Sequence, residues 1–171
     1  MFEHVKGVVK VTSGYAGGRE STAHYYVVGT GMTGHAESVE IVFDPRAVSY
    51  ETLLHVFFMV AHDPTQLNRQ GPDVGTQYRS AIFYGNAEQR RVAQAVMDSL
   101  NQARAFRDPI VTQVTPLTGF YAAEDYHQDY AILHPDEAYI VYNHRPKVGH
   151  LREHFPALFN EAPVRNPVST R

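Results

Sequence analysis

The chain has no cysteine among its 171 residues. Disulfides, thiolate metal sites and thiol nucleophiles are therefore excluded for the sequence as written. It lacks any apolar run approaching the ~18 residues that a membrane-spanning helix needs. Nor does it open on a basic stretch followed by an apolar one, as a secretory signal does. A basic excess is missing too: 15 Lys and Arg stand against 18 Asp and Glu, for a formal net charge of −3. That balance argues against nucleic acid or an acidic membrane as the main partner. The expectation is a cytoplasmic monomer.

What is present is globular composition, 43% apolar and 19% charged, in a length that suits one domain. A domain of this size buries roughly 70% of the surface of its unfolded chain. Met1–Val5 reads as the last turn of an amphipathic helix, stopped at Gly7. Val8–Tyr15 is β-branched and aromatic, hence a strand, and residues 19–36 read as a long irregular loop. Glu37–Phe43 alternates, with Val39, Ile41 and Phe43 on one face. Ser49 caps a helix that runs to Ala61, where His62-Asp63-Pro64 breaks it. A second long loop reaches Tyr78, before the strand Ser80–Tyr84. Asn86 and Gln89 form a capping box for a helix carrying Val92, Val96 and Leu100. Ile110–Thr115 reads as a strand and Phe120–Tyr130 as a helical turn; beyond that, prolines punctuate a tail. One strand supplied before the first helix would complete βαββαβ.

Two stretches concentrate chemistry. Gly29-Thr30-Gly31-Met32-Thr33-Gly34-His35-Ala36-Glu37 brings three glycines and a carboxylate to a strand mouth. Gln70-Gly71-Pro72-Asp73-Val74-Gly75-Thr76-Gln77-Tyr78 brings glycines, a carboxylate and a phenol to the next. Singly, Glu37, Asp73, Tyr78 and the loop residue Tyr25 are ordinary exposed or core-capping side chains. A purely structural loop seldom needs Gly, carboxylate and phenol together twice, so we expect the loops to form one pocket. A carboxyl buried there would have its pKa raised, suiting proton donation near neutral pH. Ten histidines invite a metal reading, but His35, His62 and His127 are far apart and no HExxH occurs. No phosphate-cradling Gly-Lys-Ser/Thr or GxGxxG is present, and no Ser sits in GxSxG.

The segments GVVKVTSGYAGG (7–18), GMTGHAE (31–37), HDPTQLNRQGPDVGTQYRSAIF (62–83) and AEDYHQDY (123–130) resemble the A-type peptide methionine sulfoxide reductases, from Phe2 to Pro156. The resemblance implies a ferredoxin-like α/β roll and reduction of the S epimer of methionine sulfoxide, free or in proteins. It further implies that Glu37 protonates the leaving oxygen, that Asp73 and Tyr78 hold the substrate, and that Tyr25 helps bind the oxygen. In the family a cysteine in a Gly-Cys-Phe-Trp motif attacks the sulfur, and the resulting sulfenic acid is resolved by another thiol, with thioredoxin the usual reductant.

Here the chain departs. It carries no Gly-Cys-Phe-Trp, so the nucleophile, the Phe/Trp pocket and the first strand are expected to be missing. The expected architecture is α+β: a βαββαβ core lacking its first strand, followed by a long irregular C-terminal tail. One domain over 1–156, incomplete at its N-terminus, would precede a flexible tail over 157–171. No cofactor is expected beyond thioredoxin or another dithiol. Three accounts stay open: Met1 is an internal methionine of a longer reductase; the chain is a module that binds methionine or sulfoxide peptides without reducing them; or it is an unrelated α+β interaction protein.

Overall fold

A computed structural model of the chain describes residues 1–166. A 3-10 turn over Phe2–His4 leads into β1 (Val8–Ala16), a one-turn α1 (Tyr25–Val28) and β2 (Ala36–Phe43). Next comes α2 (Tyr50–Val56), which continues as a π-helical turn over Phe57–Ala61. A small hairpin of β3 (Arg69–Gln70) and β4 (Asp73–Val74) precedes β5 (Ala81–Tyr84), α3 (Ala87–Gln102), β6 (Gln113–Pro116) and β7 (Phe120–Ala122). Three helices follow: α4 (Tyr130–Leu133), α5 (Ala138–Asn143) and α6 (Arg145–His154).

β1 is central to an antiparallel sheet, pairing with β2 from Val8↔Phe43 to Ala16↔Ala36 and with β7 at Gly14–Ala16. β5 and β6 form a separate parallel pair joined through α3, the crossover that a parallel pair requires. No strand joins β2 to β5 among the described residues. The fold is thus α+β with its sheet in two pieces. Arg79 bridges their mouths, donating from Nη2 to Gly34 O (2.9 Å) and from Nη1 to His35 O (3.0 Å).

Two apolar clusters hold the layers together, and α2 serves both. Leu53, Val56 and Val60 face Val8, Val11 and Leu151, while Leu54 and Phe58 face Ile82, Val96 and Leu100. A helix buried on two faces must be apolar on both, which explains the run Leu53-Leu54 and Phe57-Phe58. The caps act as the sequence indicates: Ser49 Oγ accepts from Thr52 N (3.0 Å) and Asn86 Oδ1 from Gln89 N (2.9 Å). Gln89 returns a bond to Gly85 N (2.7 Å), one residue earlier than an ordinary capping box.

Five expectations need correcting. The loop over 19–36 contains α1, because the Glu124 carboxylate accepts from Tyr25 N and satisfies a helix-start donor. Strand Ile110–Thr115 begins later, at Gln113, and Phe120–Tyr130 opens as β7 because residues 120–122 meet the free edge of β1. The irregular tail is largely helical. Pro146 lies in the first turn of α6, where a missing N–H costs nothing, and Leu151 is fully buried against β1 and α2. Finally, residues 157–166 are packed rather than loose. Phe159 is buried and bridges Val5, Asn160 N donates to His4 O (2.7 Å), and Asn166 Nδ2 donates to Val11 O (2.8 Å). The rest of that expected tail, 167–171, lies outside the described residues.

Candidate active site

Backbone geometry fixes the first loop. His35 is 1% exposed. Its Nδ1 accepts from Gly18 N (3.2 Å) and its Nε2 donates to Arg19 O (3.0 Å), so the ring staples the end of β1 to the start of β2. A Cβ on residue 18 would stand 2.5 Å from the ring; only glycine allows this approach. The second loop is clasped onto the first: Thr76 Oγ1 donates to Gly31 O (2.6 Å) and Gln77 Nε2 to Gly29 O (3.1 Å).

Side chains shape the second loop. Asp63 Oδ1 accepts from Thr65 N and Oγ1, and its Oδ2 accepts from Gln66 Nε2. Burial works to raise the Asp63 pKa, but these bonds outweigh it and hold the carboxyl below its ordinary value. Gln70 closes back on the Asp63 backbone from the hairpin that carries Asp73. His62 anchors the base, with Nδ1 bonded to Phe57 O (3.0 Å) and Nε2 to Ser80 Oγ (2.6 Å), itself bonded to Thr112 Oγ1 (2.7 Å). Burial pushes the His62 pKa down to about 4.

The two loops bring Glu37, Asp73, Tyr78 and Tyr25 into one electrostatic neighbourhood. Tyr78 is raised by burial and then by Glu37, Asp73 and Tyr25. Glu37 is raised by desolvation of its carboxyl and then by the charge of Asp73. The residue is nonetheless exposed by area, not buried as expected, so the carboxyl sits in a recess open to water. Among the described residues, no hydrogen bond to its carboxyl occurs. A cavity of about 440 Å³ lined by Met59, His62, Phe106, Arg107, Lys147 and others includes none of the four.

Other residues complete the neighbourhood without any signal in sequence spacing. Tyr139 Oη, from α5, donates to Asp73 Oδ2 (2.6 Å). Glu124 accepts from Tyr25 N and from Tyr15 Oη (2.9 Å each), which ties the start of α1 to β1; the Tyr25 ring lies 4.6 Å from that of His127. Lys147 faces Asp73 from α6, and burial lowers its pKa. Glu124 does fall within the acidic-aromatic segment 123–130, which was legible as a motif but not as a brace. The ensemble offers hydroxyl donors and one carboxyl inclined to hold a proton, a set suited to a polar oxygen acceptor.

The sequence model of the family described as peptide methionine sulfoxide reductase matches residues 1–158. The peptide methionine sulfoxide reductase MsrA 2 of Mesorhizobium japonicum is 56% identical over 164 residues, covering 96% of this chain and 84% of that protein. Its namesake in Synechocystis sp. is 52% identical over 155 residues, 91% of this chain and 72% of the relative. Among solved structures, the reduced form of Mxr1 from Saccharomyces cerevisiae superposes with a TM-score of 0.71 at 33% identity, covering 76% of this chain and 74% of that one. Methionine sulfoxide reductase A of Corynebacterium diphtheriae gives 0.63 at 38% identity, over 75% and 65% of the two chains.

Proposed function

This chain belongs to the A-type peptide methionine sulfoxide reductase family, and from that premise we propose that its two-loop pocket binds methionine S-sulfoxide and readies the oxygen for removal. The family is one of enzymes, and its reaction is thiol-dependent. The observation that carries the assignment is Glu37: a carboxyl whose pKa is raised by desolvation and by Asp73, with no hydrogen bond to it among the described residues, beside Asp73 and Tyr78. Protonated Glu37 donates to the sulfoxide oxygen, and the phenols of Tyr25 and Tyr78 donate alongside it. Each donation draws electrons from sulfur and makes it a better electrophile. Asp73 accepts from the substrate backbone.

Reduction itself needs a thiolate. The attacking sulfur gives two electrons to the sulfoxide sulfur and takes the oxygen as sulfenic acid; a second thiol then forms a disulfide and releases water. With no cysteine in its 171 residues, this chain performs the binding and protonation, and turnover depends on a cysteine thiolate positioned against the bound sulfoxide, which a small dithiol free in solution does not supply. Where such a thiol is supplied, a dithiol of the thioredoxin type closes the cycle. The test uses the chain alone with N-acetyl-methionine S-sulfoxide. Calorimetry should show binding that weakens at least about tenfold in Glu37→Gln, while dithiothreitol supports no turnover above that of the variant. Ordinary turnover with dithiothreitol, or binding indifferent to Glu37, overturns the proposal.

A further inference from the structure

We propose that Tyr26 and Tyr126, joined through Tyr25 and His127, form a second subsite at the edge of the sulfoxide pocket, which takes the backbone and an apolar side chain next to the oxidised methionine of an extended polypeptide. The subsite rests on the reading of the pocket as a sulfoxide site and lengthens it along the segment that carries the sulfoxide. The four rings are contiguous. Tyr26 lies 5.5 Å from Tyr25, Tyr25 lies 4.6 Å from His127, and His127 lies 4.3 Å from Tyr126, centroid to centroid. Such spacings are those of packed aromatic pairs, yet Tyr26 is 85% exposed and Tyr126 56%. An exposed run of rings marks a contact surface rather than a core.

The strip is built onto the strands that carry Glu37. Tyr15 stands opposite Glu37 in the register of β1 and β2, so the two side chains share one face of the sheet. Tyr15 Oη donates to one oxygen of Glu124, and the other oxygen accepts from Tyr25 N (2.9 Å each). Glu124 also opens the 3-10 turn Asp125–His127, its carbonyl accepting from His127 N (2.9 Å). A single residue thus sets Tyr25 and Tyr26 beside Tyr126 and His127. The occupant follows from what the strip offers. Tyr15, Tyr130 and Tyr139 spend their hydroxyls on Glu124, Glu137 and Asp73, whereas those of Tyr25, Tyr26 and Tyr126 have no partner among the described residues. Rigid ring faces suit an apolar side chain, and free hydroxyls suit the unpaired carbonyls of an extended peptide. At ~3.3 Å of extended chain per residue, the ring next to Tyr25 meets the first or second residue from the sulfoxide.

Calorimetry on the intact chain compares N-acetyl-methionine S-sulfoxide with two blocked peptides, one holding the S-sulfoxide between phenylalanines and the other between glycines. The phenylalanine-flanked peptide should bind about tenfold more tightly than the small sulfoxide, and the glycine-flanked one within about threefold of it. Tyr26→Ser and Tyr126→Ser should each take back about threefold of that gain, and together nearly all of it, with the affinity for the small sulfoxide unmoved. Both side chains are more than half exposed, so their loss leaves the core intact. Equal affinities for the two peptides, or a gain that survives the double variant, overturns the inference. So does self-association in sedimentation that is lost in Tyr26→Ser, which would give the strip to a second copy of the chain. The small sulfoxide reads the pocket, and the difference between the peptides reads the strip. Binding indifferent to the flanks therefore sinks the subsite and leaves the proposed function standing, while a small sulfoxide that does not bind sinks the proposed function and the subsite with it.

Discussion

Glu37, at the start of β2, and Asp63, in the second loop, are both carboxyls near the pocket, and the fold treats them in opposite ways. Asp63 spends its oxygens on its own loop, accepting from Thr65 and Gln66, and its pKa falls. Glu37 is held in place by others: His35, Arg79 and the clasp from Thr76 and Gln77 build the loop that leads to it, while among the described residues its carboxyl accepts no hydrogen bond and its pKa rises. One acid stabilises the fold by being charged. The other is set down in a finished frame and left available. Stability and function are thus assigned to different side chains, as expected where a site holds a group in a state the fold does not favour.

If the frame carries the stability, breaking it should cost most. His35→Ala removes a buried ring and its two bonds to backbone, and should destabilise by about 3–4 kcal/mol in urea unfolding at pH 7. A loss below about 1 kcal/mol would mean that Glu37's loop stands without its staple.

The base of the second loop should fail next, and in acid. His62 has its ordinary value of 6.5 pushed down to about 4 in the folded chain. Between those values the unfolded chain binds a proton that the folded one refuses, so stability falls as pH drops through that window. Allowing for partial exposure, this amounts to about 2 kcal/mol. His144 is also lowered to about 4 and contributes over the same range. His62→Gln should therefore remove about half of the stability lost between pH 6.5 and 4, read from thermal melts across pH. An unchanged acid limb would show that the His62–Ser80–Thr112 chain bears no load.

Much of this division was legible in the sequence, and what escaped has a common cause. β1, β2, α3 with its Asn86 cap, and the loop residues Glu37, Asp73, Tyr78 and Tyr25 follow from local pattern, glycine spacing and a family resemblance. Local pattern could not supply Tyr139 on Asp73 or Glu124 on Tyr25, because those partners are separated by 66 and 99 residues. The π turn at Phe57–Ala61 escaped because a bulge leaves the helical apolar spacing nearly intact. The C-terminal helices were hidden by reading Pro146 as a breaker rather than as a first-turn residue, and by amphipathic patterns too short to stand out.

Asp63→Ala tests the first acid. Its folded pKa is depressed, so its contribution is present above the ordinary carboxylate range and is lost as pH falls through the lower folded value. The variant should be about 1–2 kcal/mol less stable at pH 7, the size of a lost carboxylate cap, and nearly equal to the unaltered chain once pH has fallen below the lowered folded value. A gap that persists in acid would assign the effect to lost packing rather than to charge.

Glu37→Gln should have the smallest effect on stability, and its sign decides the comparison. A carboxyl whose folded pKa is raised binds its proton more tightly folded than unfolded, so stability declines as pH climbs from the ordinary value of 4.5 through the higher folded one. Above that window the unaltered chain holds a charge its recess disfavours, and glutamine has none to hold. The variant should then be the more stable at pH 7, by only a few tenths of a kcal/mol because Glu37 is open to water. The advantage should vanish below 4.5, where the carboxyl is neutral in both states. The measurement is paired thermal melting of the two proteins at pH 4 and pH 7. Were glutamine destabilising at pH 7, Glu37 would be part of the frame like Asp63, and the separation of the two acids into stabiliser and reagent would fail.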